Sequence, residues 1–288
     1  MDLYVVLIFL LLEISLVFAG CEDEWPSCHK GRNTVCERNE ECGALGNCET
    51  GPMNPETRKK LVDTHNILRN QMAGGDPKMS SIKAANMRVL SYDTGLQHTA
   101  ACHINRCKFE HDKCRGTKKF KTAGQNLYMS TARSSGQKLA FSDPQKFAQN
   151  GVESWYSEIE IANPADIADT YKFVPGTGHW TQMIWAETTH IGCATSGSTD
   201  SKHYSYLNCN YGPGGNILDV KLFEHGDPCT KCPEGLKCSE QYSNLCGEED
   251  ASMLDVDFGA GDGGNGVEIK SGSFVTILLT VLVVFRLM

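Results

Sequence analysis

Between Pro52 and His225 the apolar positions change period several times, and each change predicts an element. Asn54-Pro55-Glu56 reads as a helix N-cap, a proline at the first helical position and an acid in the first turn. Leu61, His65, Leu68 and Met72 then recur on one face until Gly74-Gly75 closes the pattern. A second helix is predicted from about Thr94 to Cys107, with Leu96 and Ala100 turned inward. Ser142-Asp143-Pro144 opens a third, striped by Ala148, Val152, Trp155 and Ile159. Strand-like stretches follow at His190 to Thr195 and Tyr204 to Tyr211, separated by the turn-rich run Ser196 to Ser201. Cys193 and Cys209 fall on these neighbouring strands, placed to bond. Helices and a small sheet around one stapled core predict an α+β layered domain. There is no internal repeat.

The two ends break this pattern. Leu3 to Phe18 is almost continuously apolar and leads into Ala19-Gly20, so residues 1–20 are expected to be a secretory signal peptide. Asp2 stands where a basic residue is usual and Glu13 interrupts the run, and a permanent N-terminal anchor is the alternative. At the other end, residues 273–288 form a second apolar run, preceded by the polar spacer Asn265 to Gly272 and the small residues Gly259 to Gly264. These are the elements of a GPI-attachment signal, with Asp262 the expected attachment residue and Gly263 or Asn265 as alternatives. A short membrane-spanning tail is the rival reading. Either one tethers the protein to a membrane by its C-terminal anchor, facing outside. The acidic, glycine-rich stretch 248–272 reads as a flexible stalk.

Composition adds the compartment. All 14 cysteines lie between Cys21 and Cys246, and an even count at that density implies an oxidising environment and a disulfide framework. Five of them (21, 28, 36, 42 and 48) mark residues 21–51 as a stapled, loop-rich N-terminal segment, and four more mark a compact segment at 229–247. The Cys229-Thr230-Lys231-Cys232 spacing with Cys238 and Cys246 would suit zinc in a reducing compartment; in an exported chain these thiols are expected as disulfides. A net charge of −8 and a pI near 5.6 argue against a nucleic-acid partner. The basic run Lys113 to Lys121 reads as a solvated loop. No Asn-x-Ser/Thr sequon occurs, so no N-glycan is expected.

The chemistry concentrates in Gly178-His179-Trp180-Thr181-Gln182-Met183-Ile184-Trp185, where an ionisable imidazole stands between a glycine and a tryptophan. His179 there is a metal ligand, a catalytic base or a packed core residue. This stretch, continued by Ala186 to Cys193, and the stretch Tyr206 to Ile217 closely resemble the two signature segments of the CAP superfamily (cysteine-rich secretory proteins, antigen 5 and pathogenesis-related 1 proteins). The likeness extends to His65-Asn66-Ile67-Leu68-Arg69, Phe109 to Cys114, Gly124-Gln125-Asn126-Leu127 and Trp155-Tyr156-Ser157-Glu158. It covers about Cys21 to Cys246, and the N-terminal cysteine segment looks most like the insect venom allergen 5 branch.

The resemblance implies an α-β-α sandwich, with the CAP domain at 52–228, and a central cleft where two histidines and two acids usually meet. Matched motif by motif, these are His111, His179 and Glu158, with Gln125 where many relatives have glutamate. Two imidazoles make a metal site plausible for zinc or another divalent ion, but a thin one, so weak, pH-sensitive binding is expected. The alternative is that His111 and His179 only hydrogen-bond Glu158 and Gln125. Hydrolysis is the second functional reading, with Glu158 and His179 as its candidate catalytic residues. Gln125 cannot accept a proton, and Ser130, nominated as a nucleophile, has no nucleophile-elbow or oxyanion-hole pattern around it. The reading preferred is non-enzymatic binding of a lipid or sterol, or of an extracellular protein, through a groove lined by Tyr171, Phe173, Val174 and Trp180, with Trp185 packed behind. The resemblance also implies disulfides Cys193–Cys209, Cys28–Cys114 and Cys21–Cys36. Cys42 and Cys48 would pair with Cys102 and Cys107 in an order left open.

Overall fold

The computed structural model describes residues 20–131, 143–167, 169–200 and 203–256. The expected signal peptide, Asp262 and the apolar tail lie outside the described residues. The first long helix, α3 (Pro55–Gly75), follows two short ones, α1 (Cys21–Glu24) and α2 (Thr34–Glu37). Its start is built as the sequence predicts: the Asn54 side chain accepts from the Thr57 amide and Pro55 occupies the first turn. It ends at Gly75, whose φ of 102° suits only a residue without Cβ.

The second helix, α4, runs Thr94–Ile104, three residues short of the expected Cys107. Asn105 caps it and turns its amide to the Cys42 carbonyl at 2.7 Å, while Cys107 takes a positive φ and leaves to bond Cys48. The third, α5 (Pro144–Tyr156), is capped by Asp143 and continues into a 3-10 turn, Ser157–Glu160. Its predicted stripe of Ala148, Val152, Trp155 and Ile159 is buried. A six-residue helix, α6 (Gly178–Met183), precedes the last two strands.

Five strands form one sheet: β1 (Cys48–Thr50), β2 (Ser91–Tyr92), β3 (Gly124–Thr131), β4 (His190–Ser198) and β5 (Tyr204–Gly212). The order is β1-β4-β5-β3, with β2 pairing in parallel beside β1 on the outer edge of β4. Strand β4 reaches Ser198 because β1 pairs with residues 196–198. Side chains alternate across the pleat. Ile191, Cys193, Leu207, Cys209 and Tyr211 join the large core with α3, α5 and α6, while Ala194, Tyr206 and Leu127 pack with Ala100 and Ile104 of α4 on the other face. Covered on both faces, the sheet is the middle of an α-β-α sandwich.

Six disulfides staple this body: Cys21–Cys36, Cys42–Cys102, Cys48–Cys107, Cys193–Cys209, Cys229–Cys238 and Cys232–Cys246. The order left open for Cys42 and Cys48 is thereby assigned. The expected Cys28–Cys114 bond is absent. The two thiols interact but are turned to separate acceptors, Cys28 Sγ to the Lys113 carbonyl at 3.4 Å and Cys114 Sγ to the Pro26 carbonyl at 3.6 Å. The stalk also needs correcting. Its first residues, Glu248 to Val256, lie against the body: Leu254 is buried in the large core and Arg58 donates to the carbonyls of Leu254 and Val256 at 3.0 and 2.6 Å.

Candidate functional site

A cleft of about 650 Å³ opens at the end of the sheet where β3 meets α6, and His111, Gln125, Glu158 and His179 all line it. The four sequence-predicted cleft residues therefore converge, from a loop, a strand, a 3-10 turn and a short helix. Lys30, Asn126, Tyr171, Phe173, Asn216 and Leu218 also contribute to its wall.

Glu158 organises one side. Its Oε2 accepts from the backbone amides of His179 and Trp180 at 2.9 and 3.1 Å, and its Oε1 accepts from His179 Nδ1–H at 2.6 Å. The carboxylate thus caps the first turn of α6 and sets the ring of its own histidine. The ring also stacks on Trp155, with centroids 6.2 Å apart. Behind α6, Asn126 Nδ2 donates to the His179 carbonyl at 3.1 Å and to Tyr211 Oη at 3.0 Å. Tyr211 in turn donates to His65 Nε2 at 2.9 Å, and His65 Nδ1–H donates to the Leu61 carbonyl at 2.8 Å. Burial lowers the pKa of His65 to about 4, so it stays neutral and this chain stays ordered.

The other side is built on Gln125. Its Oε1 accepts from His111 Nδ1–H at 2.7 Å, while its amide nitrogen donates to Asp112 Oδ1 at 3.0 Å and Asn210 Oδ1 at 3.3 Å. Desolvation, more than any charge, pulls the pKa of His111 down and favours the neutral ring. In both histidines Nδ1 is committed and Nε2 has no protein partner among the described residues. Two imidazoles, each with Nδ1–H on an oxygen acceptor and Nε2 turned to the cleft, are a donor set that fits zinc or a similar divalent ion. Glu158 is engaged by three donors from α6, which ties its carboxylate to that helix.

Other expectations divide. Tyr171 and Phe173 line the cleft as anticipated, and Trp185 packs behind, edge-on to Tyr171 at 5.9 Å. Trp180 does not: it is fully buried in the core because α6 presses that face inward. Val174 is likewise not among the lining residues, and neither is Ser130, which sits on β3 opposite Ser205. The cysteines at 229, 232 and 246, and those at 42 and 102 beside His98, bring sulfurs within metal-ligating distance of one another, but all are in disulfides and offer no thiolate. Asp112, Lys30 and Leu218 were not singled out from the sequence. Asp112 lies beside His111 within the Phe109 to Cys114 motif, and no local pattern marks the other two.

Set against known proteins, residues 62–211 match the model of the cysteine-rich secretory protein family, CAP. The chain belongs to the CAP family. Among its relatives, the "Cysteine-rich venom protein" of Tityus serrulatus is 35% identical over 204 residues, which are 68% of this chain and 47% of that protein. "Scoloptoxin SSD43" of Scolopendra dehaani is 33% identical over 67% of this chain and 86% of that one. The chain thus spans about half the length of the Tityus relative and most of the Scolopendra one. Venom allergen 5 proteins are also among the relatives of this CAP chain. The solved structure of NaASP2 with Zn2+ shares 29% identity with it, with a TM-score of 0.54 over 71% of this chain and 100% of that one.

Proposed function

We propose that this CAP protein is exported and acts by binding rather than by catalysis. Its cleft takes a lipid, sterol or protein ligand, and His111 and His179 hold a divalent cation such as zinc weakly. Venom relatives support the extracellular setting. One observation carries the choice against hydrolysis. Among the described residues Glu158 is the one carboxylate lining the cleft, and its two oxygens accept from His179 Nδ1–H and two backbone amides. These bonds commit the carboxylate to holding α6 and the His179 ring, leaving one Oε1 lone pair, and Gln125 supplies no proton acceptor of useful basicity. Phe173 and Leu218, 64% and 61% exposed at the cleft edge, favour an apolar ligand there. The zinc-bound CAP structure supports the metal part of the reading. Bound metal would supply a Lewis-acidic contact to a polar group of the ligand; His111 and His179 would hold it.

Native mass spectrometry of the secreted chain, with zinc and then with cholesterol or palmitate, tests this. The expected result is one zinc ion, lost in His111→Ala and His179→Ala, and a lipid adduct weakened by Phe173→Ser. Turnover of ester or peptide substrates that disappears in Glu158→Gln would overturn the reading in favour of a hydrolase.

A further inference from the structure

His111 and its partner form one end of a longer device. Asp112 is buried beside Gln125. It forms an ion pair with Arg115 through Nε and Oδ1. As a carboxylate it only accepts. It takes the Thr34 hydroxyl on Oδ2 at 2.6 Å, and Arg115 Nε and Gln125 Nε2 on Oδ1. The second acceptor facing Gln125 is oriented independently. Thr99 gives its hydroxyl to the Leu96 carbonyl at 3.0 Å and therefore accepts from Asn210 Nδ2 at 2.9 Å, which leaves Asn210 Oδ1 toward Gln125.

With two oxygens on one side, the Gln125 amide can sit only one way round: nitrogen toward Asp112 and Asn210, oxygen toward His111. An oxygen facing His111 Nδ1 requires a proton on that nitrogen. We infer that Asp112 is a positioning residue that, through Gln125, locks His111 in the Nδ1–H tautomer and so keeps its Nε2 lone pair available in the cleft. Gln125 is then not a weakened glutamate. A glutamate at 125 would set its carboxylate about 3 Å from that of Asp112, a like-charge contact in a buried place. An amide at 125 satisfies the acid at 112, and a carboxylate there would not. Glu158 does the same for His179 with a charge instead of an amide.

The inference rests on the cleft being a metal site, as proposed above, but its first readout needs no metal. Long-range 15N–1H spectra of the imidazoles in the purified chain, recorded where histidine is neutral, are expected to show His111 protonated on Nδ1. Asp112→Asn frees the Gln125 amide to turn, and Gln125→Met removes the acceptor; both are expected to bring the Nε2–H form into the spectrum and to weaken zinc binding by roughly 10-fold or more. Gln125→Glu alone is expected to lose thermal stability, and Asp112→Asn with Gln125→Glu to regain it together with zinc binding. Gln125→Met keeps the test open should Asp112→Asn fold poorly, because it leaves Asp112, Thr34 and Arg115 in place. His111 protonated on Nε2 in the unmodified chain overturns the inference, as does an unchanged tautomer in Gln125→Met. The Nδ1–H form without zinc binding instead overturns the metal reading and leaves the relay intact.

Discussion

At the scale of single residues, the cleft depends on which lone pairs are spent. Glu158 receives three donors, two of them at the start of α6. Glu158→Ala is expected to cost about 2–3 kcal/mol of stability by urea denaturation, since hydrogen bonds to a charged group are worth roughly 1.5–3 kcal/mol each before the site relaxes. Glu158→Gln is expected to lose less, because the amide oxygen still accepts from the α6 backbone. The identities of His111, His179, Glu158 and Gln125 were legible from their motifs. Their partners were not: Gln125 meets Asn210 from 85 positions away, and only the pairing of β3 with β5 brings them together.

At the scale of elements, periodicity found the starts of α3 and α5 and the body of β4 and β5, because caps and stripes are local. It missed β1, β2 and β3, and it ran α4 three residues too far; these boundaries follow from sheet pairing and from the departure of Cys107 toward Cys48. One glycine ties two elements tightly. A Cβ on Gly192 of β4 would lie 2.2 Å from the Gln97 amide nitrogen and 2.4 Å from the Asp93 carbonyl oxygen, against the backbone that opens α4. Gly192→Ala is expected to cost about 3 kcal/mol or more, since backbone has nowhere to move, and a thermal melt reads it directly. An unchanged melting temperature would mean that α4 can slide off the sheet.

At the scale of the whole molecule, two buried arginines on α3 join distant segments. Arg69, fully buried, donates to the carbonyls of Arg88, Met183 and Trp185, and burial lowers its pKa to about 9. Arg58 holds residues 248–256 to the body, so Leu254→Ala is expected to cost roughly 2 kcal/mol by denaturant titration and to loosen that segment. Acid acts on the molecule through its buried neutral histidines. His65 has a folded pKa near 4 and an ordinary unfolded one near 6.5, so the unfolded chain binds the proton first. Its contribution is full above pH 6.5 and is lost as pH falls toward 4; His190, lowered to about 4 by burial and Lys119, acts in the same window. Melting temperature should therefore drop across that interval, and a flat profile would contradict the neutral His65–Tyr211–Asn126 chain. What the sequence by itself determined is the family, the helical starts and, through resemblance to the family's motifs, the four cleft positions, since caps, periodicity and motifs are carried by neighbours along the chain. The tertiary structure alone decided which hydrogen-bonding atoms of the cleft remain free, how Cys42 and Cys48 pair, that Cys28 and Cys114 stay unbonded and how residues 248–256 lie, because each depends on groups from distant segments meeting within a few ångströms.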